Sequence, residues 1–293
     1  MIAPHLFACL LLTTSVQAAL SLSGSSSLWT PLGSNFDYSS DQQTGSASAD
    51  IVGDASNVGF FSAFDGVNTA SRTDGTLAFR VRLDDTDDSG GKTKTPSFNR
   101  SAWVGMDVDT DGAIDLFLGV NRQGSANEIA IYAPDGSRNT SPATIGMEHS
   151  PEKAYAINST NYHYRAVDYT YDGGTTNDLS PATSGDTDYY VSFAVPFADI
   201  VSFVRSRNPS STFDQDTPVQ YIVFTSTQAN SINQDLGGVS GDLNSTSSWF
   251  SLGATTPRVS PTGSFDGGAV PEPSAPMLVG LACTAALVLR RRA

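Results

Sequence analysis

The stretch Trp103-Val104-Gly105-Met106-Asp107-Val108-Asp109-Thr110-Asp111-Gly112-Ala113-Ile114-Asp115-Leu116-Phe117 decides how this chain folds. Apolar side chains fall at Val104, Met106 and Val108, then at Ile114, Leu116 and, one step further, Leu118. A period of two residues marks strands whose alternate side chains share a face. The Asp-Thr-Asp-Gly between the two runs is turn chemistry, with Gly112 free to take a tight-loop conformation. The expectation is a β-hairpin with both arms facing one core. Pairing Val108 with Ile114 across the turn sets Asp107 opposite Asp115, Trp103 over Gly119 and Phe117 over Gly105.

Directly opposed like charges destabilise a sheet unless something neutralises them. Asp109 and Asp111 crowd the same turn, so four carboxylates (Asp107, Asp109, Asp111 and Asp115) converge with no Lys or Arg among them. That donor set suits a hard cation, and Ca2+ is the natural candidate outside the cell. The spacing D-x-D-x-D-G-x-x-D matches the start of an EF-hand loop. Leu118 stands where that motif needs a bidentate Glu, however, and the flanks read as strands, so a helix–loop–helix site is rejected. The other reading is a solvated acidic turn. A second acidic run, Asp84, Asp85, Asp87 and Asp88, precedes Gly90-Gly91-Lys92 and reads as a solvated loop. Trp103 and Phe117 lie on the face turned away from the core, where they either stack on sugar rings or are covered by another segment.

Alternation continues on both sides of the hairpin. Leu77, Phe79, Val81 and Leu83 oppose Ala78, Arg80 and Arg82, and Tyr189, Val191, Phe193 and Val195 oppose Tyr190, Ser192 and Ala194. Further strands are expected at 101–108, 114–121, 127–133, 154–158, 164–171, 218–227 and 248–252. In 218–227 both faces are apolar, which suits a central strand. One short helix is expected over 196–205, with Pro196 in its first turn. The pattern gives an all-β fold, an antiparallel β-sandwich of jelly-roll or Ig-like type. Residues 19–48, rich in Ser, Gly and Gln, read as a first strand or a loose entry with Trp29 and Phe36 as anchors. Residues 251–269 read as a linker.

Composition agrees. The 293 residues carry 16 Lys+Arg against 30 Asp+Glu, a net charge of −14, which excludes sequence-independent binding to nucleic acid. Hydrophobic residues at 39% and aromatics at 10% are too many for a disordered acidic chain. Glu128, Glu148, Glu152 and Glu272 are the only Glu, and the Asp bias favours turns and hard-cation sites over helices. Both cysteines, Cys9 and Cys283, lie in the terminal segments, so the region between them needs neither disulfides nor cysteine chemistry. That region holds His149 and His163 without a nucleophile, metalloprotease or phosphate-loop motif around them. No catalytic residue is assigned, and a non-enzymatic protein is expected.

Both ends read as addresses. Residues 1–18 form a secretory signal, with the apolar run Leu6-Phe7-Ala8-Cys9-Leu10-Leu11-Leu12 and small residues around Val16-Gln17-Ala18. The competing reading is a buried N-terminal helix. At the other end, Val270-Pro271-Glu272-Pro273-Ser274 precedes an apolar stretch over 275–289, and Arg290, Arg291 and Arg292 follow. The stretch is short for a span, but the arginines can snorkel and hold the cytoplasmic side, giving a single transmembrane helix that serves as a transient or a permanent anchor. The domain plan is thus 1–18 signal peptide, 19–250 β-sandwich, 251–269 linker and 270–293 sorting tail.

The order Pro-Glu-Pro, apolar helix, terminal arginines resembles the PEP-CTERM sorting signal of Gram-negative bacteria. The resemblance implies recognition of Pro271, Glu272 and Pro273 by an exosortase, a membrane-embedded cysteine transpeptidase. Arg290, Arg291 and Arg292 would then be the cytoplasmic stop. It also implies passage through the inner membrane to the cell surface or beyond, in bacteria that make exopolysaccharide. Passenger domains of that family are diverse, so activity stays open. Residues 77–131, with Phe193-Ala194-Val195-Pro196-Phe197, are similar in pattern to carbohydrate-binding family 9 and DOMON-like sandwiches. The combined expectation is an exported, non-catalytic, Ca2+-stabilised protein that binds or organises extracellular polysaccharide. A structural matrix or biofilm protein without a specific ligand is the alternative, and a carbohydrate-active enzyme the lesser one.

Overall fold

A computed structural model describes residues 20–33, 37, 39–43, 47–66, 72–86, 97–179 and 187–266. Segments 1–18 and 270–293, with the signal and sorting readings, lie outside the described residues, as do Phe36, Asp87 and Asp88. Among the described residues no helix is long and apolar enough to cross a membrane.

The chain forms two antiparallel sheets. The strands are β1 (Thr30–Pro31), β2 (Phe60–Phe64), β3 (Thr76–Leu83), β4 (Ser101–Asp107), β5 (Leu116–Asn121), β6 (Glu128–Tyr132), β7 (Lys153–Ala156), β8 (Tyr162–Ala166), β9 (Tyr189–Pro196), β10 (Gln220–Ser226) and β11 (Asp235–Leu236). The first sheet runs β1-β2-β3-β9-β8 and the second β11-β10-β4-β5-β6-β7. Alternation built this sandwich. Leu77, Phe79 and Val81 of β3 and Val191, Phe193 and Val195 of β9 meet Val104, Met106, Leu116, Leu118, Tyr221 and Val223 of the second sheet in one buried cluster. Phe79 and Tyr221 pack edge to face across the layers, centroids 5.3 Å apart.

Neither outer face is left to water. Over the first sheet, Leu22 and Trp29 of the N-terminal segment cover Ala78, Phe61, Tyr190 and Ala194. Arg80, fully buried on that face, stacks its guanidinium 4.2 Å from the Trp29 ring centroid and donates to Ser26 Oγ (2.8 Å), the Leu22 carbonyl (2.7 Å) and Ser192 Oγ (3.0 Å). Beside it, buried Arg82 pairs with buried Asp188 at 2.5 Å. Over the second sheet, Val239, Leu243 and Trp249 cover Trp103, Phe117, Ile222 and Phe224.

Three helices occur among the described residues, against the one expected. The expected one is α2 (Phe197–Arg207), while α1 (Tyr169–Asp172) and α3 (Trp249–Leu252) are single turns. Both single turns replace residues expected as strand, at 164–171 and 248–252, and both have helix punctuation at each end. Asp168 and Ser248 accept backbone N–H groups as N-caps, and Gly173 and Gly253 take left-handed φ of 86° and 77° at the C-terminal ends. Residues 251–266, read as linker, are instead packed. Val259 is fully buried and bridges Val219 and Phe265.

Gly119 fits beneath Trp103. A Cβ there would fall 2.3 Å from the indole and 2.2 Å from the Ala102 carbonyl oxygen, so the site admits only glycine. Gly119→Ala should therefore destabilise the fold by about 2 kcal/mol or more through overpacking. Urea unfolding measures it, and an unchanged midpoint would contradict the packing of Trp103 on this strand.

Candidate metal centre

The hairpin β4–β5 pairs Trp103 with Gly119, Gly105 with Phe117 and Met106 with Leu116, the expected register. Continuing it places Asp107 opposite Asp115, and the Asp115 N–H donates to the Met106 carbonyl at 2.8 Å. The turn then departs from strict alternation. Ile114 joins Ile222 and Trp249 on the outer face, while Val108 stays in the inter-sheet core. Gly105 makes room for this, since a Cβ there would lie 2.8 Å from Ile222 and 3.0 Å from Ile114.

Backbone donors hold the carboxylates in place. Asp107 Oδ2 accepts from Gly112 N–H (2.9 Å) and Asp115 Oδ2 from Val108 N–H (2.7 Å). Asp109 accepts from Asp111 N–H at 3.2 Å. Oxygens of Asp107, Asp109 and Asp115 lie within 4.8 Å of one another, the span of ligands around a single cation. Asp111 does not join them. Its carboxylate turns outward and accepts from Ala113 N–H at 2.8 Å, so three of the four expected ligands converge. Asp107 is 3% exposed, and its Oδ1 is buried without a hydrogen-bond partner. Burial, then repulsion from Asp109 and Asp107, pushes Asp115 up to about 6, and burial raises Asp107 as well. The geometry fits a hard divalent cation with solvent completing its shell.

Trp103 and Phe117 face away from the inter-sheet core as expected, but both are fully buried under the segment that includes Trp249. Neither can stack on a ligand. Their covering segment lies more than a hundred residues away in the chain, beyond reach of a local pattern. The second acidic run also departs from expectation at Asp84, which is 4% exposed and grouped with Asp178 and Asp188.

A cleft with one exposed aromatic side chain lies elsewhere. This cleft, of about 540 Å3 on the outer side of the first sheet, is lined by Trp29, Phe61, Tyr169 and Tyr190, with Asn57 and Asp172 among its polar groups. Tyr169 is 41% exposed, so its ring is available to a ligand. Asp172 is anchored by Arg165 at 2.5 Å and by Ser26 N–H and Oγ, both at 3.0 Å. Sequence reading gave no sign of this cleft, because α1 and the Trp29 segment that build it were read as strand and as entry.

Comparison with family models, with curated proteins and with solved structures finds no match for this chain. The site therefore has to be judged on its own geometry.

The hairpin makes a pH-dependent prediction. Without a cation, a raised Asp115 favours the folded state below its ordinary value of 3.8, and that contribution is lost as pH rises through about 6. Cation binding requires the ionised form, so Ca2+ should stabilise more at pH 8 than at pH 5. Thermal melts of the parent chain and of Asp115→Asn, each with Ca2+ and with chelator, test this. Identical parent curves at pH 8 would remove the metal from the hairpin.

Proposed function

We propose that this chain is an exported, surface-sorted, non-catalytic protein that holds Ca2+ at Asp107, Asp109 and Asp115 and binds extracellular polysaccharide. On this reading residues 1–18 direct export. The tail then carries the chain as a single transmembrane helix in the inner membrane, with Pro271, Glu272 and Pro273 presented to an exosortase and Arg290, Arg291 and Arg292 on the cytoplasmic side. Release leaves the sandwich at the cell surface or outside the cell.

The cleft under Tyr169 is the observation that carries the ligand class. Sugar rings present apolar C–H faces to aromatic side chains and hydroxyls to polar side chains. Tyr169 supplies the first kind of contact, and the exposed Ser27 and Ser56 on the same cleft supply hydroxyls for the second. The strongly acidic surface argues for a neutral or cation-bridged polysaccharide over a directly bound polyanion. Support for a non-catalytic role is chemical. His149 is exposed and His163 lies on β8, and neither lines the cleft under Tyr169.

Retention of the detergent-purified chain on immobilised bacterial exopolysaccharides, with Ca2+ and with chelator, tests the reading. Binding to at least one saccharide is expected, and Tyr169→Ala should weaken it by about tenfold, in line with the loss of one aromatic contact. Failure to retain any saccharide under either condition would favour a structural matrix protein. Release of soluble sugar from the support would instead point to an enzyme.

A further inference from the structure

A second acidic group lies away from the hairpin, where the N-terminal segment meets the edge of the second sheet. Asp37, Asp41 and Asp235 bring oxygens within 4.8 Å of one another. Asp50 joins them. It is fully buried and accepts Ser40 N–H through Oδ2, and its charge is felt by both Asp37 and Asp235. Each carboxylate spends oxygens on backbone donors that orient it. Asp37 Oδ2 accepts from Gly238 N–H (2.7 Å), Asp41 Oδ2 from Gly241 N–H (3.2 Å), and Asp235 from Ile51 N–H (2.6 Å) and Leu236 N–H (2.8 Å).

What remains is a set of unsatisfied acceptors. Oδ1 of Asp37, Asp41 and Asp50 and the Gln42 side-chain oxygen are all buried with no hydrogen-bond donor. Among the described residues no ion pair reaches any of the four aspartates. Buried carboxylates without a donor or a countercharge are strongly unfavourable, so this group either keeps protons, as the burial that raises Asp37, Asp50 and Asp235 favours, or takes a cation. The third acidic group, at Asp84, Asp178 and Asp188, differs because Arg82 already supplies the charge. Hard oxygen donors, mostly carboxylates with one amide, are the shell that Ca2+ takes.

We propose that Asp37, Asp41, Asp50 and Asp235, with the Gln42 side-chain oxygen, form a buried Ca2+ site separate from the hairpin. Its place in the fold gives it a role. Asp50 lies beside Ile51, which bridges Leu83 of β3 in the first sheet, whereas Asp235 begins β11 at the edge of the second. Across the same seam Gln43 N–H donates to the Gln234 carbonyl, and Ile51 N–H donates to the Asp235 carboxylate. A cation here clamps the two sheets along one edge.

Equilibrium dialysis of the chelator-stripped full chain against radioactive Ca2+ at pH 7.5 tests the site. The hairpin variant Asp109→Asn/Asp115→Asn should still retain a single equivalent. Adding Asp50→Asn, or separately Asp41→Asn at the half-buried rim, should weaken that retention by roughly tenfold or more. Using both variants protects the test against loss of folding at fully buried Asp50. If the hairpin holds no ion, parent and hairpin variant will retain the same equivalent, and the buried site stands. Loss of all Ca2+ from the hairpin variant would overturn the proposal. So would retention unchanged by both Asp50→Asn and Asp41→Asn.

Discussion

Among the described residues six aspartates are buried, Asp50, Asp84, Asp107, Asp172, Asp188 and Asp235, against two arginines, Arg80 and Arg82. Arg82 neutralises Asp188, and half-buried Arg165 neutralises Asp172. Asp50, Asp107 and Asp235 have no such partner, yet backbone N–H groups fix each in place. The backbone thus commits these carboxylates to the interior before their charge has been answered. An isolated buried charge costs several kcal/mol, enough to threaten a domain of ordinary stability. On the proposal made above, divalent cations supplied from outside the chain would resolve this with few ions, which suits a protein proposed to work outside the cell.

The same economy explains why both outer faces of the sandwich are covered. A sheet with Trp103, Phe117, Ile222 and Phe224 on its outer face would expose a large apolar patch if left bare. Segment 239–254 closes it, and the Trp249 Nε1–H donates to the Asn139 carbonyl at 2.7 Å, tying the cover to the loop beyond β6. On the other sheet Leu22 and Trp29 do the equivalent work, with Arg80 held as a cation against aromatic rings. Two-sided burial of a sheet is what lets the strands at 77–83 and 218–227 carry large side chains on both faces.

Much of the sandwich was legible locally, because strand period and register are local properties. The pairing of Trp103 with Gly119 followed from one turn, the cores of β3 and β9 from alternation, and that of β10 from its two apolar faces. Single turns of helix were misread because a run of four residues has no period to recognise. Ser248 and Gly253 carried the caps nonetheless, and a reading weighted to caps over β-propensity would have found α3. Residues 251–266 looked like linker by composition, yet buried Ala254, Thr256, Val259 and Ser260, with Thr256 bonded to Tyr221, fasten them to the sandwich. The hairpin carboxylates were visible as spacing, although Asp111 was drawn off by the Ala113 N–H. Asp37, Asp41, Asp50 and Asp235 had no such spacing. They are assembled by tertiary structure across nearly the whole sandwich, so no motif could announce them.

Crystals of the chain grown with Tb3+ in place of Ca2+ would show directly how the buried charge is answered, through anomalous scattering. Peaks are predicted at two places, among Asp107, Asp109 and Asp115 and among Asp37, Asp41, Asp50 and Asp235. A map with no ion at either position, and the carboxylates paired oxygen to oxygen through shared protons, would contradict the proposed dependence of this fold on bound cations.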